Sequence, residues 1–213
     1  MNAQTQPGST HEAAHGAARE AAPGSTPEPR DVESLKALVA TGRRVRFLHF
    51  WGHQPQADGS LGAGCLSQWW PSPFTVDGVT YATAEHWMMA GKARMFGDAE
   101  AEKRAITAKH PKTAKAVGRQ VRGFDEATWV AGRFELVVAG NVAKFGQDPA
   151  LRAYLLGTNT RVLVEASPRD RVWGIGLSAT EAYADQPENW QGLNLLGFAL
   201  METRARLRAA DSV

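Results

Sequence analysis

The run Asp77-Gly78-Val79-Thr80-Tyr81-Ala82-Thr83-Ala84-Glu85-His86-Trp87-Met88-Met89-Ala90-Gly91-Lys92 passes from strand to helix, and this decides the fold class. Its first part closes a hairpin over Phe74 to Tyr81, because Asp77-Gly78 is a dipeptide favoured in tight hairpin turns. Thr83 then predicts the cap of a helix running to about Met95. On that helix Glu85, Met88, Met89 and Lys92 fall at i, i+3, i+4 and i+7, hence on one face. A solvated face does not place two methionines between its charges. One reading is an amphipathic helix with an edge acid and an edge lysine. The other is a carboxylate and an amine that line an apolar pocket. In the first turn the helix dipole favours ionised Glu85, and burial opposes it.

Working outward, Asp31 predicts a short helix through Leu35, Leu38 and Val39 that ends at Gly42. Arg43 to Trp51 reads as a strand, followed by a polar loop from Gly52 to Gly64. Beyond the quoted run, Asp98 opens a helix to about Lys109 and Pro111 another, which Gly118 or Gly123 ends. Asp125 opens a long helix stopped at Gly146, and Asp148-Pro149 a short one closing at Gly157. Arg161 to Ala166 and Val172 to Leu177 read as further strands, and a last helix runs from about Asn194 to Arg208. The expectation is α+β: a mainly helical single domain over 31–210 with a small β-sheet and about six helices. Strands and helices do not alternate as in a doubly wound sheet.

Residues 1–30 contain no Val, Ile, Leu, Phe, Trp or Tyr and carry a charge of −1, so they are expected to form a disordered tail that is no basic nucleic-acid arm. The 213 residues hold 24 Lys and Arg against 22 Asp and Glu, a formal +2, too balanced for a protein that binds mainly by neutralising phosphates. There is no apolar run of membrane-spanning length and no hydrophobic signal core at the N-terminus, so a cytoplasmic protein is the simplest reading. One cysteine, Cys65, supports neither an internal disulfide nor a cysteine zinc cage.

His11 and His15 could suggest a metal but fall in the expected disordered tail, and His49, His53 and His86 lack further ligands at metal-ligand spacing, so no metal is expected. Gly174-Ile175-Gly176 lacks the third glycine of a dinucleotide loop. From Lys92 to Arg122 nine cationic residues stand against three acidic ones. Solvated helix faces account for most of these, and the remainder can attract a phosphate. Arg119 follows Gly118 at an expected helix end, from which it can turn toward a pocket. In Leu66-Ser67-Gln68-Trp69-Trp70-Pro71 the two tryptophans cannot both face a core, and one is free to stack on a planar ligand.

Taken together, several segments resemble the NADAR family. They are Phe50-Trp51-Gly52-His53, Leu66 to Pro71, Asp77 to Trp87 with Lys92, Asp170 to Gly176, and Trp190 to Arg204. Pro111, Ala114, Gly118, Arg119 and Lys144-Phe145 lie where its intermediate motifs fall, so the resemblance spans about 45–208. It implies an N-glycosidase that needs no metal or cofactor and no obligate protein partner. It implies as substrate a ribosylated pyrimidine or purine: a phosphoribosylamino-pyrimidine intermediate of riboflavin synthesis, or ADP-ribosylated guanine in nucleic acid. Catalysis falls on Glu85 and Lys92. Binding falls on Trp51, Ser67, Trp70, His86, Trp87 and Arg119, and on Asp170, Trp173, Gly174, Gly176 and Asn194. Met88-Met89-Ala90-Gly91 stands where some members are glutamine-rich, which bears on substrate more than on reaction type. A carboxylate can steady the cationic sugar, and a neutral lysine can attack C1′ to give a Schiff base. The alternative is a non-catalytic module that binds ADP-ribose or nucleotides in the same pocket.

Overall fold

A computed structural model describes residues 28–212. Most of the expected tail, 1–27 with His11 and His15, lies outside the described residues. Its last three residues are seated on the body. Pro29 is buried, and Glu28 Oε2 accepts a hydrogen bond from Arg204 Nη2 at 2.8 Å. The body therefore begins ahead of the expected Asp31. No apolar pattern announces this contact, because it is electrostatic and its partner lies 176 residues away.

The first helix, α1 (Val32–Ala40), is capped by Asp31, which accepts from Ser34 N at 2.7 Å. Strand β1 (Phe47–Phe50) is shorter than its expectation. The hairpin forms as β2 (Phe74–Val76) and β3 (Val79–Tyr81), and Asp77 and Gly78 take the positive φ values, 49° and 78°, that its turn demands. Five helices follow: α2 (Ala84–Met95), α3 (Ala99–Ile106), α4 (Pro111–Gly118), α5 (Glu126–Gln147) and α6 (Pro149–Gly157). Asp98, Asp125 and Asp148 cap α3, α5 and α6 through their side chains, as their positions predict. Strand β4 (Val162–Glu165) and helix α7 (Leu195–Ala210) complete the chain.

The expected small sheet is two separate two-stranded pieces among the described residues: β1 parallel to β4, and the hairpin. Val172 to Leu177 is not a strand. Ile175 donates to Glu165 O at 3.0 Å and its carbonyl accepts from Gln191 at 2.9 Å, with no ladder on either side. Gly176, at a φ of 72°, breaks the extended run.

Helix α2 is the central element. Most of its residues are buried, and α3, α4 and α5 pack around it. The hold on α5 depends on Gly140: a Cβ there would lie 2.2 Å from Trp87 Cδ1, so only glycine admits the indole. The Trp87 Nε1–H then reaches Leu136 O at 2.7 Å. Beneath this stack, α7 and the β1–β4 pair close the core.

Candidate active site

The site forms where three elements begin or end: the first turn of α2, the C-terminal end of β4 and the start of α7. Thr83 opens α2, but its side chain makes no cap. Its Oγ1 lies 2.8 Å from His86 Nδ1, and His86 Nε2 lies 3.0 Å from Ala108 O. A carbonyl only accepts, so Nε2 carries the proton and Nδ1 accepts from the hydroxyl. Burial lowers the His86 pKa, which agrees with this neutral form. Both ring nitrogens are thus spent on the fold. Trp87 is equally committed to α5.

The loop that faces Glu85 is held by α5. Lys144 is fully buried, and its Nζ donates to Cys65 O at 2.7 Å and Ser67 O at 2.8 Å. Burial pushes its pKa down to about 7. Three residues earlier on the same face, Asn141 Oδ1 accepts from Gln68 Nε2 at 3.1 Å. Gln68 O in turn accepts from Glu85 N at 2.9 Å. Loop and helix start are locked together, and Trp69 is left facing the carboxylate. The Trp69 ring packs between the imidazoles of His53 and His110, at centroid distances of 5.7 and 5.8 Å.

The third wall hangs from β4. Asn194, fully buried in the left-handed region (φ 49°), donates to Leu163 O at 2.9 Å and accepts from Glu165 N at 3.0 Å. It fixes the strand end and does not line the cavity. Asp170 Oδ1 accepts from Val172 N at 2.9 Å and Trp173 N at 2.8 Å, folding the next loop back. That loop supplies the carbonyls of Val172, Trp173 and Gly174 to the amides of Leu195, Leu196 and Asn194, so backbone caps α7 where no side chain does. A Cβ on Gly192 would stand 2.3 Å from Gly174 O. These glycines serve close backbone packing.

Two chambers result, sharing Met88, Lys115, Asp170 and Trp173 as common walls. The inner one, about 50 Å³, is lined by Glu85, Glu165, Ser67, Gln68, Trp69 and Leu196 besides those four. A water needs roughly 10–15 Å³, so the space admits one. Glu85 is 2% exposed and its Oε1 has no hydrogen-bond partner. Burial raises its pKa to about 7, against the pull of Lys115, a hydrogen bond from Trp69, and Arg119. Glu165 Oε2 is likewise enclosed and unpartnered. Its pKa rises to about 8, first by burial, then through Asp170 and Glu85, with Lys115 opposing. Among the described residues no three His, Cys, Asp or Glu side chains are grouped so as to hold a metal ion.

The outer chamber, about 300 Å³, brings Lys92, Arg119 and Arg133 together with Phe124, Trp129 and Trp173. Lys92 Nζ stands 4.1 Å from the Phe124 ring centre and 5.2 Å from that of Trp129. Burial lowers its pKa, and the acid that opposes this is Glu126. Two larger surface grooves, beside α1 and beside Arg44 and Arg46, contain no buried titratable group.

Of the residues singled out from the sequence, Glu85, Ser67, Asp170 and Trp173 meet in the inner chamber, and Lys92 and Arg119 join Asp170 and Trp173 in the outer one. His86, Trp87, Gly174, Gly176 and Asn194 stand outside both linings. So does Trp51, which is 67% exposed. The tryptophan pair divides with Trp69 in the wall and Trp70 packed on the core. Sequence reasoning missed Glu165 and Lys115. A carboxylate directly after the apolar Val162-Leu163-Val164 was the signal for the first. The spacing of Lys115, Gly118 and Arg119 along one face of α4 was the signal for the second.

The NADAR domain family model matches residues 49–208. The chain belongs to this family. It is 42% identical over 149 residues to N-glycosidase R617 of Acanthamoeba polyphaga mimivirus, covering 67% of this chain and 87% of the relative. It is 32% identical over 135 residues to N-glycosidase YbiA of Escherichia coli, covering 63% and 76%. The NMR structure of E. coli YbiA superposes with a TM-score of 0.63 at 27% identity, over 79% of this chain and 89% of that one.

Proposed function

We propose that this chain hydrolyses the bond between C1′ of a phosphorylated ribose and the amine nitrogen of a base. Family membership and the N-glycosidase relatives make it a hydrolase of N-glycosyl bonds. One observation carries the finer reading: a chamber with an enclosed, unpartnered oxygen on each of two carboxyl groups adjoins, across shared walls, one lined by aromatic rings and cations. The rings fit a planar base, and Arg119 with Arg133 fits a phosphate. The shared wall then sets the sugar beside the carboxyl groups. Glu85 faces the positive charge that builds on the ring as the bond breaks. Lys92, made less basic by its apolar surroundings, is the amine available to attack C1′.

A non-catalytic ADP-ribose module has no use for two buried carboxyl groups beside the ribose. The outer chamber, about 300 Å³, is at the small end for ligand pockets, which favours the compact phosphoribosylamino-pyrimidine over the larger ADP-ribosylated guanine. The test is a release assay. Purified protein and its Glu85→Gln variant are incubated with phosphoribosylamino-pyrimidines and, separately, with ADP-ribosylated guanine DNA or RNA. Release of free base and sugar by the unaltered chain alone is expected from one of these. No release from any of them overturns the reading.

A further inference from the structure

We propose that Glu165 is the acid that hands a proton to the departing amine, while Glu85 works as the carboxylate of the pair. This deepens the N-glycosidase reading and rests on it. An amine is a poor leaving group unless its nitrogen gains a proton, so the site needs a donor as well as a carboxylate.

The geometry puts both carboxyl groups in one chamber, and their charged surroundings separate the two roles. Four charged groups from three directions face the inner chamber: Glu85 from α2, Lys115 from α4, and Glu165 and Asp170 from β4 and the loop after it. Glu85 receives a hydrogen bond from Trp69 and feels both Lys115 and Arg119, three influences that favour its charged form. Glu165 has Lys115 alone on its side, against Asp170 and Glu85. No donor reaches its Oε2. A proton shared in this chamber is favoured on Glu165, whose enclosed oxygen has no donor, over Glu85, to which Trp69 donates. Asn194 clamps the Glu165 amide, so the strand end that carries the acid is rigid.

The step balances. The C1′–N bond breaks and its electron pair stays on nitrogen, which takes the Glu165 proton. Water bonds to C1′ through oxygen and loses a proton to Glu85. The cycle ends with Glu85 protonated and Glu165 ionised, the reverse of the starting state. Return of the proton to the more basic Glu165 through the water-sized chamber resets the pair. If Lys92 attacks C1′ first, the leaving step is unchanged, and water with Glu85 then releases the sugar from the lysine.

The test compares Glu165→Gln, Glu165→Asp and the unaltered chain on two substrates. One is a phosphoribosylamino-pyrimidine, whose nitrogen must be protonated to leave. The other is nicotinamide mononucleotide, a pyridinium riboside whose leaving nitrogen is already cationic. Glu165→Gln is expected to lose ~10²–10⁴-fold in kcat on the amine and only a few-fold on the pyridinium. It is also expected to lose the alkaline limb of kcat/KM, which Glu165→Asp retains. Equal losses on both substrates, or an intact alkaline limb in Glu165→Gln, overturn the acid role while the N-glycosidase reading stands. ADP-ribosylated guanine, whose exocyclic amine also leaves as an amine, can stand in as the first substrate. Failure of the unaltered chain to cleave any of the three overturns that reading and the acid role with it.

Discussion

At the scale of the residue, Glu85 is costly to the fold, and that cost points to a use. The unfolded chain releases this proton near pH 4.5, and the folded chain holds it to about pH 7. Between those values the folded state carries the extra proton, so stability falls as pH rises through the window. Glu85→Gln removes that loss. Its melting temperature relative to the unaltered chain is expected to improve between about pH 5 and about pH 8, while kcat drops ~10²–10³-fold because the charge facing the sugar is gone. Calorimetry and turnover on the same samples check both. A variant of normal activity refutes the role of Glu85, and one that gains nothing at the higher pH refutes the burial argument. For Lys92, borohydride added during turnover is expected to trap a sugar on its Nζ, and Lys92→Arg to abolish trapping and turnover together. An active Lys92→Arg chain without adduct leaves direct attack by water. Glu85 and Lys92 were legible in the sequence because a helical period sets them on one face. Glu165 was hidden because a strand end carries no such period. Lys144 and Arg204 were hidden because long cationic side chains are ordinarily solvated, and only tertiary contacts show that these two are not.

At the scale of the element, the caps were the most readable feature. Asp31, Asp98, Asp125 and Asp148 each accept from the backbone at the start of a helix, as a short acceptor at that position predicts. Where a side chain was drawn elsewhere, the element survived and the reason changed. Thr83 opens α2 while serving His86, and Asn194 opens α7 while serving β4. Ahead of α1, the seating of residues 28–30 escaped the sequence for want of apolar residues. Its anchor is the Glu28 carboxylate on Arg204, whose guanidinium also reaches Thr158 Oγ1 at 2.8 Å and Arg161 O at 2.9 Å. Glu28→Gln keeps a hydrogen-bond acceptor and removes the charge. Arg204 retains its other acceptors and Glu28 is partly solvated, so the loss is expected at roughly 1–3 kcal/mol, or some 2–10 °C in Tm. Thermal melts of Glu28→Gln beside a chain shortened to residue 28 check it. The shortened chain is expected to melt with the full-length protein, and an unshifted Glu28→Gln refutes the anchoring.

At the scale of the whole molecule, the β1–β4 pair joins Phe47 to Val162 and Phe50 to Glu165, so strands separated by more than half of the chain are paired. Long-range pairing of this kind slows folding and ties distant parts into one unit. Tryptophan fluorescence and far-ultraviolet circular dichroism are therefore expected to report one coincident unfolding transition, and two separated transitions refute this. The mainly helical α+β class was readable from the sequence. The splitting of the sheet was not, because pattern gives strands without their partners. The family match runs over 49–208, yet Arg204 within it is completed by Glu28, and Leu35, wholly buried in the core, also lies outside it. The segment that the family match covers is thus shorter than the segment that folds. Grafting 49–208 alone into another chain would move a buried cation without its counter-charge, and the recipient would have to supply an acid at that spot.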